Sequence, residues 1–341
     1  MKDSRSILMR SLATPSRAPS SWRGGRLLLP SARHVAGFVG TAIFIWFAAT
    51  TPALASGFAQ EGSEIELTIL QAIILGLVEG LTEYLPVSST GHLLVTNELL
   101  GLNETEASES AIETYAICIQ VGAIIAVLFL YQERIRQMID GVLGRSEEGR
   151  KISIAVIIAF TFTAVIGLST VDLVKDNLFG VPPIAGAWIV GGIVILVLSR
   201  IGFFDKAGAE LGSLTWKNAI VIGLIQAIAV WPGVSRSMIT IIGAVLVGLS
   251  LRAAVEFSFL LGLVTLTAAT AFEGLQGGAE LIDTFGITTP LIGLVVAFVS
   301  AMGAVKWMVA WLNDKGFELF GWYRVIIGIV AFGLLAGGVI S

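Results

Sequence analysis

The sequence predicts an all-α polytopic membrane protein with two inverted-topology repeats, each containing one re-entrant helix–loop–helix and three transmembrane helices. Two observations of composition support this class: 55% of the 341 residues are hydrophobic and 13% are charged. The charged share is about half that of an ordinary soluble domain. So little charge excludes a cytosolic enzyme and a disordered chain. The third observation is a series of apolar runs long enough to cross a bilayer.

Six continuous apolar runs of about 17–21 residues suit a hydrocarbon core of about 30 Å. They cover residues 111–131, 152–171, 183–199, 253–272, 290–310 and 324–340. Two further apolar regions, 67–101 and 218–250, are interrupted by Pro86 and by Pro232-Gly233. Broken apolar segments of this kind are typical of re-entrant helix–loop–helix units that line a site inside the membrane.

The two broken regions also resemble each other. Gly76 to Glu79 matches Gly223 to Gln226, and Pro86 to Ser89 matches Pro232 to Ser235 after a shift of one residue. Each region precedes three spanning runs, so the chain divides into repeats at about 65–200 and 217–341. Because three spans is an odd number, the second repeat is expected to be inverted relative to the first.

The N-terminus differs in composition from the rest of the chain. The first 34 residues carry seven Lys and Arg against one acid, Asp3, and an apolar run over 35–49 leads to Ala53-Leu54-Ala55. This order is typical of a secretory leader cut after Ala55, and an uncleaved anchor helix is the alternative. Both interpretations place residue 56 outside the cytoplasm, which leaves residues 56–341 as a single membrane domain.

The distribution of positive charge tests this topology. Lys and Arg between the first two spans, before the second broken region and around the last loop all fall on the predicted cytoplasmic side, as the positive-inside rule requires. The last group comprises Lys306, Lys315 and Arg324. The predicted outside segments contain one basic residue, Lys175. Arg236 is then the one basic residue left inside an apolar segment.

The broken regions keep Glu79, Glu83, His92 and Arg236 inside otherwise apolar sequence. A charge inside the bilayer costs roughly 2.5–3.5 kcal/mol on insertion scales, so such residues indicate a functional site by default. Structural ion pairs between the repeats are the alternative. Glu79 and Glu83 share a helix face at i and i+4. Two neighbouring carboxylates are tolerable if they share a cation such as Mg²⁺ or Ca²⁺, or if one keeps a proton.

Hydroxyl side chains follow Pro86. Ser88 or Ser89 can cap the next helix, whose free N–H groups form a ready phosphate site. Ser89 lies about one turn before His92, and a hydroxyl beside a base is the arrangement of a nucleophile. The alternative is that Ser88, Ser89 and Thr90 only cap the helix.

The second break repeats this pattern with Ser235, Arg236 and Ser237. Here too a helix begins with hydroxyls and free N–H groups, and Arg236 adds a guanidinium that can hold phosphate oxygens at two points. Inverted repeats bring the two breaks together near the membrane midplane. The sequence therefore predicts a buried site for a polyanion.

The segment from Glu79 to His92 resembles the signature of the undecaprenyl pyrophosphate phosphatases, the bacitracin-resistance family, and the segment from Pro232 to Ser237 resembles their second motif. The similarity runs from about Ile65 to the C-terminus. It implies an enzyme of the plasma (cell inner) membrane that removes the terminal phosphate of undecaprenyl diphosphate. This reaction recycles the lipid carrier of cell-wall peptidoglycan synthesis, confers bacitracin resistance and takes place in a site that faces the outer side.

On this basis we predict Ser89 as the nucleophile, His92 as acid or base, and Glu79 and Glu83 as metal ligands that also support catalysis. The residues predicted to bind the diphosphate are Ser88, Thr90, Ser235, Arg236 and Ser237. Two alternatives within this class stay open, with His92 or a metal-activated water as the nucleophile.

The rival from another class is a transporter or flippase of polyprenyl phosphate, because inverted repeats with broken helices are transporter architecture. The predicted cofactor is a divalent cation, Mg²⁺ or Ca²⁺, and the predicted partner is a C55 polyprenyl diphosphate. No nucleic-acid partner is expected, and assembly into a homo-oligomer stays open.

Overall fold

The computed structural model describes residues 67–102 and 106–340, and no β-strand occurs in this part of the chain. The predicted leader over residues 1–55 lies outside the described residues. The α-helices are α1 Ile69–Thr82, α2 Ser89–Leu99, α3 Glu106–Leu130, α4 Gln132–Val142, α5 Glu147–Leu178, α6 Val181–Arg200, α7 Trp216–Gln226, α8 Arg236–Leu246, α9 Leu251–Phe285, α10 Thr288–Lys315 and α11 Glu318–Ala336.

Six of these helices are long and apolar enough to cross a membrane, which confirms the predicted polytopic class. The candidate spans within the described residues are Ala111–Leu130, Glu147–Val174, Val181–Arg200, Leu251–Gly274, Thr288–Leu312 and Glu318–Ala336. The last helix begins at Glu318, six residues before the predicted start at 324. The prediction was wrong there because Arg324 was interpreted as a charge at the membrane boundary, whereas it lies inside the helix and is fully buried.

The two broken apolar regions form pairs of short helices, as predicted. Residues 83–88 separate α1 from α2, and α7 continues into a 3₁₀ turn, Ala227–Val230, before the chain reaches α8. Three long helices follow each pair in chain order: α3, α5 and α6 after the first, and α9, α10 and α11 after the second. The short amphipathic α4 lies between α3 and α5.

Both second helices begin after a residue in the left-handed backbone region. Ser88 has φ 73° and precedes α2, and Ser235 has φ 75° and precedes α8; they are the non-glycine residues with positive φ in the described part of the chain. Such conformations cost energy and collect at functional sites. If Ser88 is paired with Ser235 on this backbone feature, the one-residue shift is not needed and Arg236 corresponds to Ser89.

A close contact between α1 and α10 lies beside the carboxylates Glu79 and Glu83 in the sequence. A Cβ atom at Gly80 would lie 2.0 Å from the Ser300 hydroxyl and 2.3 Å from the Ala297 carbonyl oxygen of α10. Glycine is therefore required for this approach of α1 to α10. Glu79 and Glu83, on either side of this contact in the sequence, are both buried.

The main apolar core surrounds the first half of α9. Phe257, Phe259 and Leu260 are fully buried there, and they belong to one cluster with Tyr84 and Val87 from the first break. The Phe259 and Tyr84 rings are nearly perpendicular, with 5.5 Å between their centroids. Tyr84 and Val87 of the first break are thus part of the main buried core.

Candidate active site

Residues of the two breaks meet at Glu83. Its Oε1 atom accepts a hydrogen bond of 2.8 Å from Nη2 of Arg236, and its Oε2 atom accepts a hydrogen bond from the Ser89 hydroxyl. All three side chains are largely buried. Glu83 and Arg236 are 153 residues apart in the sequence, so this contact joins the two broken regions. A hydroxyl has one proton to donate, so the base that faces Ser89 in this arrangement is Glu83.

Arg236 is the first residue of α8 and is held from several directions. Its Nη1 atom donates to the Ser258 carbonyl oxygen at 3.3 Å, and its guanidinium lies 5.6 Å from the centroid of the Tyr84 ring. A Cβ atom at Gly262 would come within 2.0 Å of Nη1, so α9 approaches the guanidinium as closely as glycine allows. The Nε atom is buried and has no hydrogen-bond partner. The site therefore keeps a guanidinium donor for an anionic ligand.

Glu79 lies one helical turn before Glu83 and is 1% exposed. Its Oε1 atom is buried without a hydrogen-bond partner. Groups of three or more His, Cys, Asp or Glu suited to hold a metal do not occur among the described residues. Magnesium, however, is commonly bound by one or two carboxylates together with phosphate oxygens of a substrate. The residues present therefore fit a cation shared with a phosphate ligand.

His92 lies on α2 and is also buried. Its Nδ1 atom is 2.7 Å from the Ser88 carbonyl oxygen, and its Nε2 atom is 2.7 Å from the Tyr323 hydroxyl. Sequence reasoning expected the Ser89 hydroxyl and the His92 ring to form the reactive pair. The structure instead directs the Ser89 proton to Glu83.

The start of α2 differs from the predicted cap. Ser88 stands at the N-cap position, but its side chain makes no capping hydrogen bond. Thr90, in the first turn, is exposed. Because the first N–H groups of a helix have no partner within it, this turn stays able to bind an anion.

The start of α8 is capped by the Ser235 side chain and is tied to the other break. The Ser235 hydroxyl accepts a hydrogen bond of 3.3 Å from the Met238 N–H group and lies 3.0 Å from the Ser237 hydroxyl. Ser237 in turn donates to the Leu85 carbonyl oxygen at 2.7 Å. These contacts fix the starting turn of α8 against the loop that precedes α2.

Arg324 is a residue of the site that the sequence did not reveal. It is fully buried on α11, where its Nη2 atom donates to the carbonyl oxygens of Ala187 at 2.9 Å and Gly233 at 2.8 Å. Its Nη1 atom lies 3.3 Å from the Pro86 carbonyl oxygen. One side chain thus connects both breaks to α6. An arginine a third of the way into an apolar helix was the available signal.

Gln226, which matches Glu79 in the sequence comparison of the two broken regions, is fully buried. The Thr240 hydroxyl donates to its Oε1 atom at 2.7 Å, and its Nε2 atom donates to the Thr163 hydroxyl at 3.2 Å. This neutral group is satisfied by neutral partners. The carboxylates Glu79 and Glu83 of the site both come from the first broken region.

Fold and site together define a multi-pass helical membrane protein with a buried polar centre built from two interrupted helix pairs. The family model described as Bacitracin resistance protein BacA matches residues 72–330. The chain belongs to this family.

Several curated proteins are similar to this chain over most of its length. "Undecaprenyl-diphosphatase 2" of Rhodospirillum rubrum is 40% identical over 273 residues, which cover 80% of this chain and 97% of that protein. "Undecaprenyl-diphosphatase" of Sorangium cellulosum is 39% identical, with 77% and 85% covered. The protein of the same name from Methylococcus capsulatus is 38% identical, with 80% and 97% covered.

Proposed function

We infer that this chain is an undecaprenyl-diphosphatase, a membrane-embedded hydrolase that converts undecaprenyl diphosphate to undecaprenyl phosphate and inorganic phosphate. The observation that carries this inference is the contact of Ser89 and Arg236 with the two oxygens of Glu83. It joins a hydroxyl, a base and a cationic donor in one buried place. The relatives named as diphosphatases support the same reaction, which serves the recycling of the cell-wall lipid carrier and gives resistance to bacitracin.

In the proposed reaction, the Ser89 oxygen attacks the terminal phosphorus while Glu83 accepts the hydroxyl proton. The bond between the terminal phosphorus and the bridging oxygen breaks, and undecaprenyl phosphate leaves with that oxygen. Water then attacks the phosphoserine and releases inorganic phosphate, which restores the Ser89 hydroxyl. Direct attack by His92 or by a water molecule remains an alternative for the first step.

Binding of the diphosphate is assigned to donors around this centre. The unpartnered Nε atom of Arg236 and the first N–H groups of α2 and α8 can hold phosphoryl oxygens. Such fixed donors stabilise the charge that develops in the transition state. Ser88, Thr90, Ser235 and Ser237 line these two helix starts.

A divalent cation, Mg²⁺ or Ca²⁺, is proposed as cofactor, with Glu79 as its first ligand and Glu83 as its second. The unpartnered Oε1 atom of Glu79 supports this assignment. When bound, the cation would neutralise phosphate charge. A buried carboxylate oxygen without a hydrogen-bond partner is otherwise costly.

We further propose that the chain consists of two inverted-topology repeats and that each pair of short helices is re-entrant. The matching left-handed serines before α2 and α8 support this proposal. The site is proposed to open to the outer face of the cell inner membrane. The transporter or flippase alternative is not favoured, because transport has no use for the hydroxyl–carboxylate pair of Ser89 and Glu83.

The deciding experiment measures phosphate release from C15 and C55 diphosphates by the purified protein in detergent. We expect turnover in the presence of Mg²⁺ or Ca²⁺, loss of turnover with excess EDTA, and recovery when the cation is restored. Because detergent micelles have no two sides, phosphate release requires hydrolysis and not transport. Full turnover in EDTA by protein shown to be free of metal would remove the cation, and absence of release under all conditions would overturn the proposed function.

Arg324 provides a second prediction. Arg324→Met should lower kcat for phosphate release more than tenfold while Tm falls by only a few degrees. Methionine removes the hydrogen bonds to the two breaks, but it also removes the cost of burying a charge, so the stability change is partly offset. Arg136→Met, an exposed site on α4, is the matched control. A variant with normal kcat would show that Arg324 does not position the breaks.

A further inference from the structure

The two ring nitrogens of His92 have different partners. Nδ1 lies 2.7 Å from the Ser88 carbonyl oxygen, which can only accept a hydrogen bond, so Nδ1 carries a proton and donates it. In the neutral ring the lone pair is then on Nε2, 2.7 Å from the Tyr323 hydroxyl. Tyr323 therefore donates to Nε2. The contacts specify one tautomer of His92.

Two aromatic rings hold the plane of the imidazole. The Tyr323 ring is almost parallel to it, at 13° with 5.7 Å between centroids. The Trp188 ring, which is fully buried, approaches within 4.8 Å at an angle of 50°. Together with the two hydrogen bonds, these rings leave His92 one orientation.

The residue after Tyr323 fixes its position. Arg324 bonds to the carbonyl oxygens of Pro86 and Gly233 and so attaches α11 to both breaks. The α11 backbone, and with it the Tyr323 hydroxyl, is thereby held at a defined distance from α2. Neither residue belongs to the sequence motifs around the two breaks.

We propose that Tyr323 is a positioning residue for the phosphatase reaction and acts through His92. The Ser88 carbonyl oxygen holds the proton on Nδ1, and the Tyr323 hydroxyl donates to Nε2 and so keeps that nitrogen oriented as the acid or base predicted from the sequence. Because a tyrosine hydroxyl can donate to a bare nitrogen and accept from a protonated one, it suits both protonation states without movement of the ring. The role in catalysis rests on the proposed function, whereas the tautomer can be observed without turnover.

The first test is the nitrogen NMR spectrum of protein labelled in histidine. The chain has two histidines, and His34→Ala leaves His92 as the only signal. We expect a protonated Nδ1 and a hydrogen-bonded lone pair on Nε2. In Tyr323→Phe, the Nε2 resonance should shift toward that of a lone pair without a donor. A wild-type spectrum with the proton on Nε2, or an Nε2 resonance unchanged in Tyr323→Phe, would overturn the proposal.

The second test is kinetic. Tyr323→Phe keeps the ring and removes one hydrogen bond, so kcat should fall about tenfold with KM nearly unchanged. Tyr115→Phe is the matched control: the Tyr115 side chain is also buried, and its hydroxyl lies 3.4 and 3.3 Å from the carbonyl oxygens of Ala72 and Thr289. This control should keep the wild-type kcat and His92 spectrum.

A double variant separates positioning from direct action on the substrate. If Tyr323 acts through His92, then Tyr323→Phe should cause no further loss in a His92→Ala background. An equal loss in both backgrounds would overturn the proposal, as would a normal kcat in the single variant. Absence of phosphate release from the wild type would refute the phosphatase function instead, and the spectrum would still test the contact between Tyr323 and His92.

Discussion

Replacing Glu83 by Gln is expected to lower kcat by about 10²–10⁴-fold, the usual contribution of a general base. The carboxylate accepts hydrogen bonds from two donors, Ser89 and Arg236, one on each oxygen. Glutamine keeps the volume but has one accepting oxygen, so its amide N–H groups would face one of these donors. It also cannot take the Ser89 proton. We therefore expect a folded protein without the acid–base function.

The comparison with Ser89→Ala makes this prediction specific. If Glu83 works by accepting the Ser89 proton, the double variant should be no slower than the slower single variant, because residues that act as a unit are not additive. Glu133→Gln, an exposed position on α4, is the control for the chemical change. Additive losses would show that Glu83 acts mainly through Arg236 or the proposed cation and not through the Ser89 proton. Near-normal turnover of the purified Glu83→Gln variant would remove it from the chemistry.

Arg236→Lys should fail almost as severely as Arg236→Ala, with a loss in kcat of about 10²–10³-fold. The guanidinium reaches Glu83 and the Ser258 carbonyl oxygen through its two terminal nitrogens and still has Nε without a partner. A lysine ammonium is a single compact group that cannot make this planar set of contacts. Charge alone is therefore not expected to restore the function. Measurement of kcat and KM for both variants at one pH and one metal concentration tests this.

A substitution on α9 can displace the Arg236 guanidinium without changing Arg236 itself. Gly262→Ala would place a Cβ atom within 2.0 Å of the Arg236 Nη1 atom and should reduce turnover without touching the arginine itself. Gly303→Ala is the control, since a Cβ atom there meets nothing within 4 Å.

For the Arg236 variants, turnover of Arg236→Lys within about threefold of wild type would show that only the charge matters. A factor of three is well below the loss expected for a missing donor.

Much of the fold follows from patterns that depend on local composition. The six spans and the two breaks were predictable because run length and the prolines near the breaks act locally. The choice of Glu79, Glu83, His92 and Arg236 needed only the cost of placing charge in a membrane. The contacts among these side chains were harder to predict from the sequence. The partner of Ser89 depends on the direction in which the Ser89 and His92 side chains point, although they lie within one helix turn. Thus His92 was the expected partner, and Glu83 is the observed one.

Tyr323 and Arg324 show the limit of this reasoning. An arginine near the end of an apolar run looks the same in sequence whether it meets water at the membrane boundary or turns inward to bind carbonyl oxygens. Only the packing of α11 against α6 decides between these two environments. Glu318, in the first turn of α11, is charged, so the apolar run begins in the sequence after the point where the helix begins. The tyrosine beside it carried no separate signal, because aromatic residues are common at both kinds of position.

The partners of Arg324 have a consequence for genetic selections. An ion pair between side chains, such as Arg134 with Glu256 at 2.5 Å, can be lost or regained by a change in either residue. The Arg324 guanidinium binds carbonyl oxygens of Pro86, Ala187 and Gly233, which any residue at those positions would also present. No exchange of a partner can therefore compensate for a loss at position 324. Bacteria that depend on a damaged Arg324 variant should regain growth by reversion at that codon and not by second-site suppressors at the three contact positions.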